Sequence, residues 1–262
     1  MTDKAAIVTG ASRGIGKQIA IALAEQGYDI VVAARTVEPH RRLPGTIGET
    51  VSAVESTGRR ALAVRVDMTN PDDITALVSA TIDRFGRLDV LVNNAADTSG
   101  GTPTLADLEM GDWLRQFDAN LHGPLRLMQA ALPHLVASGA GIIVNMTSGA
   151  AELVPVSAAS GETSVLGGER LAYAASKAAL NRLANALSPE LRRQNVAIVN
   201  VDPGYTRTEL VDLMAERGYV DPSGAVPMEV PVKTVVDLVT GRAMEHTGQI
   251  LQASIYVDTH HL

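Results

Sequence analysis

Short apolar runs rich in Val, Ile and Ala alternate along the chain with longer segments whose apolar residues recur at helical spacing. The runs are nearly continuous, which is typical of strands buried on both faces of a parallel sheet. They predict strands at residues 5–9, 29–34, 61–66, 89–92, 141–145, 196–201 and 250–257. The segments between them predict helices at 17–26, 50–57, 72–85 and 171–194, with one or two more within 105–138. Such alternation requires crossovers that place helices on both faces of the sheet.

Neither a linker nor an internal repeat divides the chain. We therefore expect residues 1–262 to form a single α/β domain of the doubly wound, Rossmann type, with a parallel seven-stranded sheet. Three irregular stretches, 36–48, 149–170 and 208–231, follow predicted strands. In such folds ligands bind beyond the carboxyl ends of the strands. These stretches are therefore the expected walls of a cleft, with a substrate flap at 149–170 and a lid at 208–231.

The composition excludes several classes of function. There is no Cys, so disulfides, thiolate metal sites and cysteine nucleophiles are excluded. The net charge of −7 argues against nucleic acid or an anionic membrane as a partner. The first apolar run, residues 5–8, is too short for a signal peptide, and no other run is long enough to span a membrane. We expect a cytoplasmic protein, and no His or carboxylate spacing indicates a metal site.

The first predicted strand runs into the segment TGASRGIG at residues 9–16, and a predicted helix follows. Gly10, Gly14 and Gly16 allow a tight turn and close approach of the backbone to a ligand. The free N–H groups and the positive dipole at the start of the helix suit a pyrophosphate. The spacing differs from the common dinucleotide motif, and the alternative is an ordinary glycine-rich turn. The strand before the loop and the helix after it favour a dinucleotide site.

The end of the second predicted strand bears on the choice of cofactor. An acidic residue there would bind the ribose 2′-hydroxyl of NAD, but this chain has Ala34 followed by Arg35. Arg35 can pair with the 2′-phosphate of NADP, and Arg13 can approach the same group from the loop. The alternative is that Arg35 is a solvated surface cation. The residues favour NADP(H) over NAD(H).

Tyr173 and Lys177 stand four residues apart in a predicted helix, so they share one face. The ordinary pKa of Tyr is about 10, and a neighbouring ammonium would bring it toward neutral pH. Such a pair can exchange a proton with a carbonyl or alcohol oxygen. Ser148, after the fifth predicted strand, can donate a second hydrogen bond to that oxygen. Taken alone, this Tyr and Lys spacing also arises by chance in many helices.

Together these motifs resemble the short-chain dehydrogenase/reductase family over essentially the whole chain. The matching segments are TGASRGIG (9–16), Asp67, NNAA (93–96), Ser148, YAASK (173–177) and DPGYTRT (202–208). The length is similar to that of the family's single-domain branch, and Arg13 and Arg35 resemble the pattern of its NADP-preferring members.

The resemblance implies roles for four catalytic residues. Tyr173 would be the acid–base group, and Lys177 would lower its pKa and hold the nicotinamide ribose. Ser148 would orient the substrate oxygen. Asn120 would fix a water in a proton relay, the alternative being a structural role at a helix irregularity.

The resemblance also implies a set of cofactor contacts that runs through the chain. Asp67 would contact the adenine ring, and Thr208 would bind the nicotinamide carboxamide. The implied residues are Gly10, Ser12, Arg13, Gly14, Ile15, Gly16, Arg35, Asp67, Met68, Asn94, Ala95, Tyr173, Lys177, Pro203, Gly204, Thr206 and Thr208.

One departure from the family pattern concerns the interval between Ser148 and Tyr173, which is 25 residues and longer than usual. Ser160, which lies 13 residues before Tyr173, would restore the usual interval. Ser148 is preferred because it directly follows a predicted strand, whereas Ser160 lies in a stretch without apolar periodicity.

The expected function is NADP(H)-dependent interconversion of a ketone or aldehyde and an alcohol, by hydride transfer, on a small and partly apolar substrate. The alternatives are a non-catalytic NADP-binding sensor or scaffold, and an NAD-dependent alcohol dehydrogenase of the same family. An extended-branch sugar-nucleotide enzyme is disfavoured, because only 262 − 204 = 58 residues follow Gly204. The resemblance further implies a homo-oligomer, a tetramer or a dimer, through the Ala-rich helix that carries Tyr173.

Overall fold

The computed structural model describes residues 3–38, 44–99, 105–153 and 170–262. Its strands are β1 (Lys4–Thr9), β2 (Tyr28–Ala34), β3 (Ala61–Arg65), β4 (Val90–Asn93), β5 (Gly141–Met146), β6 (Val196–Asp202) and β7 (Ile250–Gln252). They form one seven-stranded sheet in the order β3-β2-β1-β4-β5-β6-β7, and every neighbouring pair is parallel. The strand order reverses direction at β1, so the predicted doubly wound fold class is confirmed.

The helices lie on both faces of this sheet. They are α1 (Gly14–Glu25), α2 (Ile47–Glu55), α3 (Pro71–Phe85), α4 (Met110–Phe117), α5 (Gly123–Ala137), α6 (Leu171–Arg193), α7 (Glu209–Glu216), α8 (Glu229–Asp237) and α9 (Ala253–His260). A π-helical turn, Asp118–His122, joins α4 to α5.

Two apolar layers hold the helices to the sheet, because successive side chains of a strand point to opposite faces. Val8 of β1 packs in the layer that contains Leu23 of α1. Its neighbour Ile7 packs in the opposite layer, with Leu77 of α3 and Leu127 of α5. All five side chains are fully buried, so β1 is covered on both sides.

The predicted last strand is the clearest difference between expectation and structure. The strand predicted at residues 250–257 ends at Gln252, and helix α9 begins at Ala253. Within α9, Tyr256 is buried and its hydroxyl donates to Asp237 of α8 at 2.6 Å, while Ile255 is 59% exposed. This short apolar run therefore packs as one side of a helix, which a short run does not reveal by its sequence.

The two segments expected to wall the cleft are described to different extents. The lid, 208–231, contains α7, a short turn at Pro222–Gly224 and the start of α8. Its base is closed by hydrogen bonds from Val226 N to Tyr205 O (2.7 Å) and from Arg207 N to Val226 O (2.9 Å). Of the flap, residues 149–153 and 170 are described, and Ser160 lies outside the described residues.

Candidate active site

The loop after β1 is compact because its glycines leave room for neighbouring backbone. Gly10 has φ +67°, and a Cβ there would lie 2.8 Å from the Cα of Ala95. A Cβ on Gly16 would lie 2.6 Å from the carbonyl oxygen of Gly10. Asn94 braces the loop, since its Nδ2 donates to the carbonyl oxygens of Thr9 (2.8 Å) and Gly10 (3.3 Å). Any side chain at Gly10 or Gly16 would therefore force the loop away from β4.

The N-terminus of α1 binds a carboxylate side chain of the same protein. The N–H group of Gly14, the first residue of α1, donates to Oε2 of Glu209 at 3.1 Å. Glu209 is the first residue of α7, so this bond joins the lid to the loop. Unpaired N–H groups and the helix dipole favour negative charge at such a helix start.

A cleft of about 280 Å³ opens beside this loop, and it gathers many of the predicted cofactor residues. Those that line it are Gly10, Ser12, Arg13, Arg35, Asp67, Met68, Asn94 and Ala95. Its walls also include residues that the sequence analysis did not foresee, namely Ala34, Thr36, Val66, Ala96, Asp97 and Ala119. Asp97 and Ala119 come from the chain around the predicted Asn94 and Asn120, so extending those motifs by a few residues would have found them.

Asp67 and Arg35 carry opposite charges in this cleft, and the charge of Arg35 affects the pKa of Asp67. Burial alone would raise the pKa of Asp67, but hydrogen bonds from the N–H (3.0 Å) and Oγ1 (2.9 Å) of Thr69 lower it. The charge of Arg35 lowers it further, and the net pKa lies below the ordinary value. Asp67 is therefore ionised at neutral pH, and its carboxylate interacts electrostatically with the guanidinium of Arg35.

Arg13 lines the cleft, and its guanidinium is also held by two backbone carbonyls. Its Nε donates to the carbonyl oxygen of Pro44 and its Nη2 to that of Gly45, both at 2.9 Å. The guanidinium thus ties the start of α1 to the segment that precedes α2. Arg35, in contrast, is exposed at the end of β2.

Lys177 is fixed on the inner side of α6. Its side chain is buried, and its Nζ donates to the carbonyl oxygen of Met146, the last residue of β5, at 2.8 Å. Burial lowers the pKa of Lys177 to about 8. The Nζ lies 5.8 Å from the centroid of the Tyr173 ring, so the two residues share the face that was predicted.

Ser148 lies beside Tyr173, close enough for its hydroxyl to influence the pKa of the phenol. Burial raises the pKa of Tyr173, the hydroxyl of Ser148 and the charge of Arg170 lower it, and the charge of Asp202 raises it again. The net pKa lies above the ordinary value, which is the opposite of the shift expected from the sequence. The physical reason is that burial outweighs the neighbouring charges, and Lys177 is itself held by Met146.

Asn120 lies in the π-helical turn and is fully buried. Its Oδ1 accepts from the N–H of Asp97 at 2.7 Å, and its Nδ2 donates to Asp97 O (3.0 Å) and Ser176 Oγ (3.2 Å). The amide therefore clamps the segment after β4 to α6. Its proposed part in a water relay stays a prediction.

The segment after β6 forms a separate part of the site. The N–H of Gly204 donates to Asp202 Oδ1 at 3.0 Å, and Thr206 Oγ1 donates to Pro203 O at 2.8 Å. Thr208 caps α7 by accepting from Val211 N at 3.3 Å. These residues do not line the 280 Å³ cleft, and their contact with the nicotinamide stays a prediction.

The described residues were searched for a metal site and for a membrane-spanning helix. Among those residues, no cluster of three or more His, Asp or Glu side chains is arranged to bind a metal ion. A search of the same residues finds no helix with the length and apolar character needed to cross a membrane.

Comparison with known proteins shows the family directly. The family model of the short chain dehydrogenases matches residues 4–217. The chain is 32% identical to the 7alpha-hydroxysteroid dehydrogenase of Escherichia coli (strain K12), over 80% of this chain and 73% of that protein. It is 30% identical to the trans-4-hydroxycyclohexanecarboxylate dehydrogenase of Sinomonas cyclohexanicum, over 98% of this chain and 92% of that protein.

A solved structure of a 7 alpha-hydroxysteroid dehydrogenase, complexed with NADH and 7-oxo glycochenodeoxycholic acid, superposes with a TM-score of 0.78. It is 28% identical, over 95% of this chain and 92% of that one. The chain therefore belongs to the short-chain dehydrogenase family. It is an oxidoreductase of the kind that acts on alcohol and ketone groups.

The packing of the loop predicts the effect of Gly16→Ala. The added Cβ overlaps the carbonyl of Gly10, and relief of such crowding costs about 1–3 kcal/mol. We expect the Kd for a nicotinamide dinucleotide, measured by calorimetric titration, to rise by roughly tenfold or more. Gly111→Ala is the matched control, because a Cβ in that part of α4 has no neighbour within 4 Å. An unchanged Kd for Gly16→Ala would remove the loop from the binding site.

The low pKa of Lys177 predicts a pH dependence of stability. Between pH 8 and the ordinary pKa of 10.5, the unfolded chain binds more protons at this group than the folded chain. The contribution of Lys177 to the free energy of unfolding therefore rises with pH, by about 2 kcal/mol from pH 7 to 9.5. Urea unfolding of wild type and Lys177→Met at both pH values measures it. If the difference between the two proteins does not change with pH, Lys177 is not a buried ammonium.

Proposed function

We propose that the protein is an NADP(H)-dependent oxidoreductase that interconverts a ketone or aldehyde with an alcohol on a small, partly apolar substrate. The observation that carries the proposal is the contact between Tyr173 and Ser148 beside the buried Lys177. A proton donor and a second hydroxyl meet there at the carboxyl end of the sheet. The 280 Å³ cleft opens at the same edge, beyond β1 and β4.

The residues present fit a nicotinamide dinucleotide. The loop at Gly10 and Gly16 leaves no room for a Cβ, and the start of α1 offers N–H groups to an anion. Asp67 and Arg35 line the cleft beside this loop. When bound, the cofactor supplies or removes a hydride at the substrate carbon.

The chain's own residues would handle the oxygen of the substrate. In the reductive direction the Tyr173 hydroxyl donates its proton to the carbonyl oxygen, which becomes the alcohol oxygen as the carbon gains the hydride. The raised pKa of Tyr173 keeps that hydroxyl protonated at neutral pH. Ser148 donates a hydrogen bond to the same oxygen and stabilises its developing charge. Lys177, held by Met146, places a positive charge next to the tyrosine ring.

Loss of the phenolic hydroxyl should therefore stop turnover. For Tyr173→Phe we expect a fall in kcat of roughly 10²–10⁴-fold, the usual contribution of a positioned acid–base group. The Kd for NADPH should change little, because the ring remains in place. Steady-state assays with 7-oxo bile acids and substituted cyclohexanones measure the first quantity, and calorimetry measures the second. Full activity in Tyr173→Phe would exclude this residue as the acid–base group.

The preference for NADP(H) is supported by Arg35, which directly follows β2, where an NAD enzyme would carry an acid. An exposed guanidinium in that position can bind a 2′-phosphate through charge-assisted hydrogen bonds. The competing proposal is an NAD-dependent dehydrogenase of the same family, and the NADH in the solved relative favours it.

A single substitution separates these two proposals. Arg35→Ala should raise the Kd for NADPH about tenfold, because a charge-assisted hydrogen bond contributes roughly 1.5–3 kcal/mol. The Kd for NADH should stay the same. Arg84→Ala, at the end of α3, is the control for loss of one positive charge. If wild type binds NADH as tightly as NADPH, the preference for NADP(H) is wrong.

Further parts of the proposal concern organisation. We propose one domain over residues 1–262, a cytoplasmic location and a homo-oligomer, a tetramer or dimer, with no nucleic acid or membrane partner. Met110 (57% exposed) and Leu114 (54%) of α4 leave apolar surface near α6, which favours self-association.

A non-catalytic NADP-binding sensor or scaffold remains the alternative. Tight NADPH binding without turnover of any ketone or alcohol would favour it.

A further inference from the structure

A second cleft, of about 490 Å³, reaches from Ser148 past the ends of β6 and β7 to α9. Its lining shares no residue with that of the dinucleotide cleft. Ser148 lies beside Tyr173, so one end of the second cleft adjoins the groups that would handle the substrate oxygen. The exposed side chains of Ile250 and Ile255 give it an apolar wall. The second cleft therefore has the position and the character of a substrate site.

The fixed charges on the wall of the second cleft are negative. Asp202, the last residue of β6, and Glu152, near the start of the flap, both line it. Neither Lys nor Arg is among its described lining residues, and Arg170 is exposed outside it. His246 and His260 also line the cleft, but each Nδ1 carries its hydrogen toward an oxygen acceptor, at 3.1 Å and 2.9 Å. A neutral imidazole satisfies both contacts.

Asp202 is the buried carboxylate of the two, with 8% of its surface exposed. Its Oδ1 accepts from the N–H of Gly204 at 3.0 Å. Its Oδ2 makes neither a hydrogen bond nor an ion pair within the described residues, and it is not one of their sealed polar atoms, so it keeps accessible surface in the cleft. An oxygen that is largely removed from water and has no donor is unfavourable. The free oxygen therefore points to a ligand that carries a hydrogen-bond donor.

The free oxygen of Asp202 lies close to the reacting end of the second cleft. Gly149 directly follows Ser148, and a Cβ built on Gly149 would lie 3.2 Å from Asp202 Oδ2. The charge of Asp202 also acts on Tyr173. Consecutive Cα atoms are about 3.8 Å apart, so a donor bound to Asp202 would stand about two or three bonds from the carbon that bears the substrate oxygen.

Two further polar side chains of the wall are compatible with a cationic ligand. Glu152 is exposed, and its Oε1 accepts from Nε2 of Gln252 at 3.0 Å, which fixes a second negative charge across the cleft. The Oδ1 of Asn181 already accepts from Asn200 at 3.0 Å. Asn181 therefore has only a donor left to offer, and the acceptors for a cation are the carboxylates.

We propose that the second cleft binds a protonated amine of the substrate, and that Asp202 is the residue that recognises it. An ammonium carries the opposite charge and donates hydrogen bonds, so it pairs with a buried carboxylate more strongly than a neutral hydroxyl does. An anion would be repelled by Asp202 and Glu152. The substrate class is therefore an amino alcohol or amino ketone with an apolar body, an inference that rests on the proposed function.

The test compares two alcohols of the same shape, 3-(dimethylamino)-1-phenylpropan-1-ol and 4-methyl-1-phenylpentan-1-ol, in which a protonated nitrogen replaces a CH group. Oxidation of each racemate is followed with NADP⁺ and with NAD⁺ near neutral pH, where a tertiary alkylamine is protonated. In wild type, kcat/KM should be about tenfold or more higher for the amino alcohol. Asp202→Asn keeps an oxygen for the N–H of Gly204 and should lower that ratio about tenfold, the usual effect of losing a charge-assisted hydrogen bond.

The ratio of the two constants is the measured quantity, because Asp202→Asn also changes the charge near Tyr173 and this affects both alcohols alike. Glu152→Gln should lower the ratio by about fivefold at most, since exposed ion pairs contribute little. Glu190→Gln, on the exposed side of α6 and outside both clefts, is the control for loss of one carboxylate. It should leave the ratio unchanged.

The outcomes separate the amine subsite from the reaction. Equal constants for the two alcohols in wild type, or a ratio that Asp202→Asn leaves unchanged, overturn the subsite and leave the proposed function standing. The wild-type ratio provides a result even if Asp202→Asn does not fold. If neither alcohol is oxidised, saturation-transfer NMR with the amino alcohol replaces the assay. Binding that Asp202→Asn abolishes then supports the subsite against the proposed function, whereas no binding to wild type, or equal binding to both proteins, overturns the subsite.

Discussion

The hydrogen bond from the ammonium of Lys177 to the carbonyl oxygen of Met146 is the contact on which the site depends. It joins α6 to the last residue of β5 in a region where the lysine is almost completely buried. A buried charge without a partner would be strongly unfavourable, so α6 has few other places to lie. Tyr173, one turn earlier on α6, is thereby placed against Ser148, which follows β5 by two residues.

The fold was predictable from the sequence because its signals are local. Strands buried on both faces read as continuous apolar runs, and six of the seven predicted strands lie within a residue or two of the observed ones. The glycine-rich loop was also predictable from the sequence. In the fold, a Cβ on Gly10 or Gly16 would overlap neighbouring backbone, which explains why glycine occupies both positions. The seventh strand was predicted too long, because the side of α9 that is buried depends on a distant partner, Asp237 of α8.

The electrostatics of the site were harder to predict than its composition. Tyr173 and Lys177 were recognisable by their spacing, but the direction of the tyrosine's pKa depends on how deeply the fold buries it. The sequence predicts that Arg13 approaches a 2′-phosphate, which stays a prediction, and it gives no sign of the two carbonyl partners that the folded chain provides for the guanidinium.

The bond between Gly14 N–H and Glu209 gives the lid an energetic connection to the loop. An anion that takes this N–H group for itself must first separate it from the carboxylate, and α7 begins at that same residue. The free energy that favours the bond opposes the anion, and by reciprocity an anion bound there weakens the attachment of α7. Binding of an anion at the start of α1 and the position of the lid are therefore thermodynamically linked through the carboxylate of Glu209.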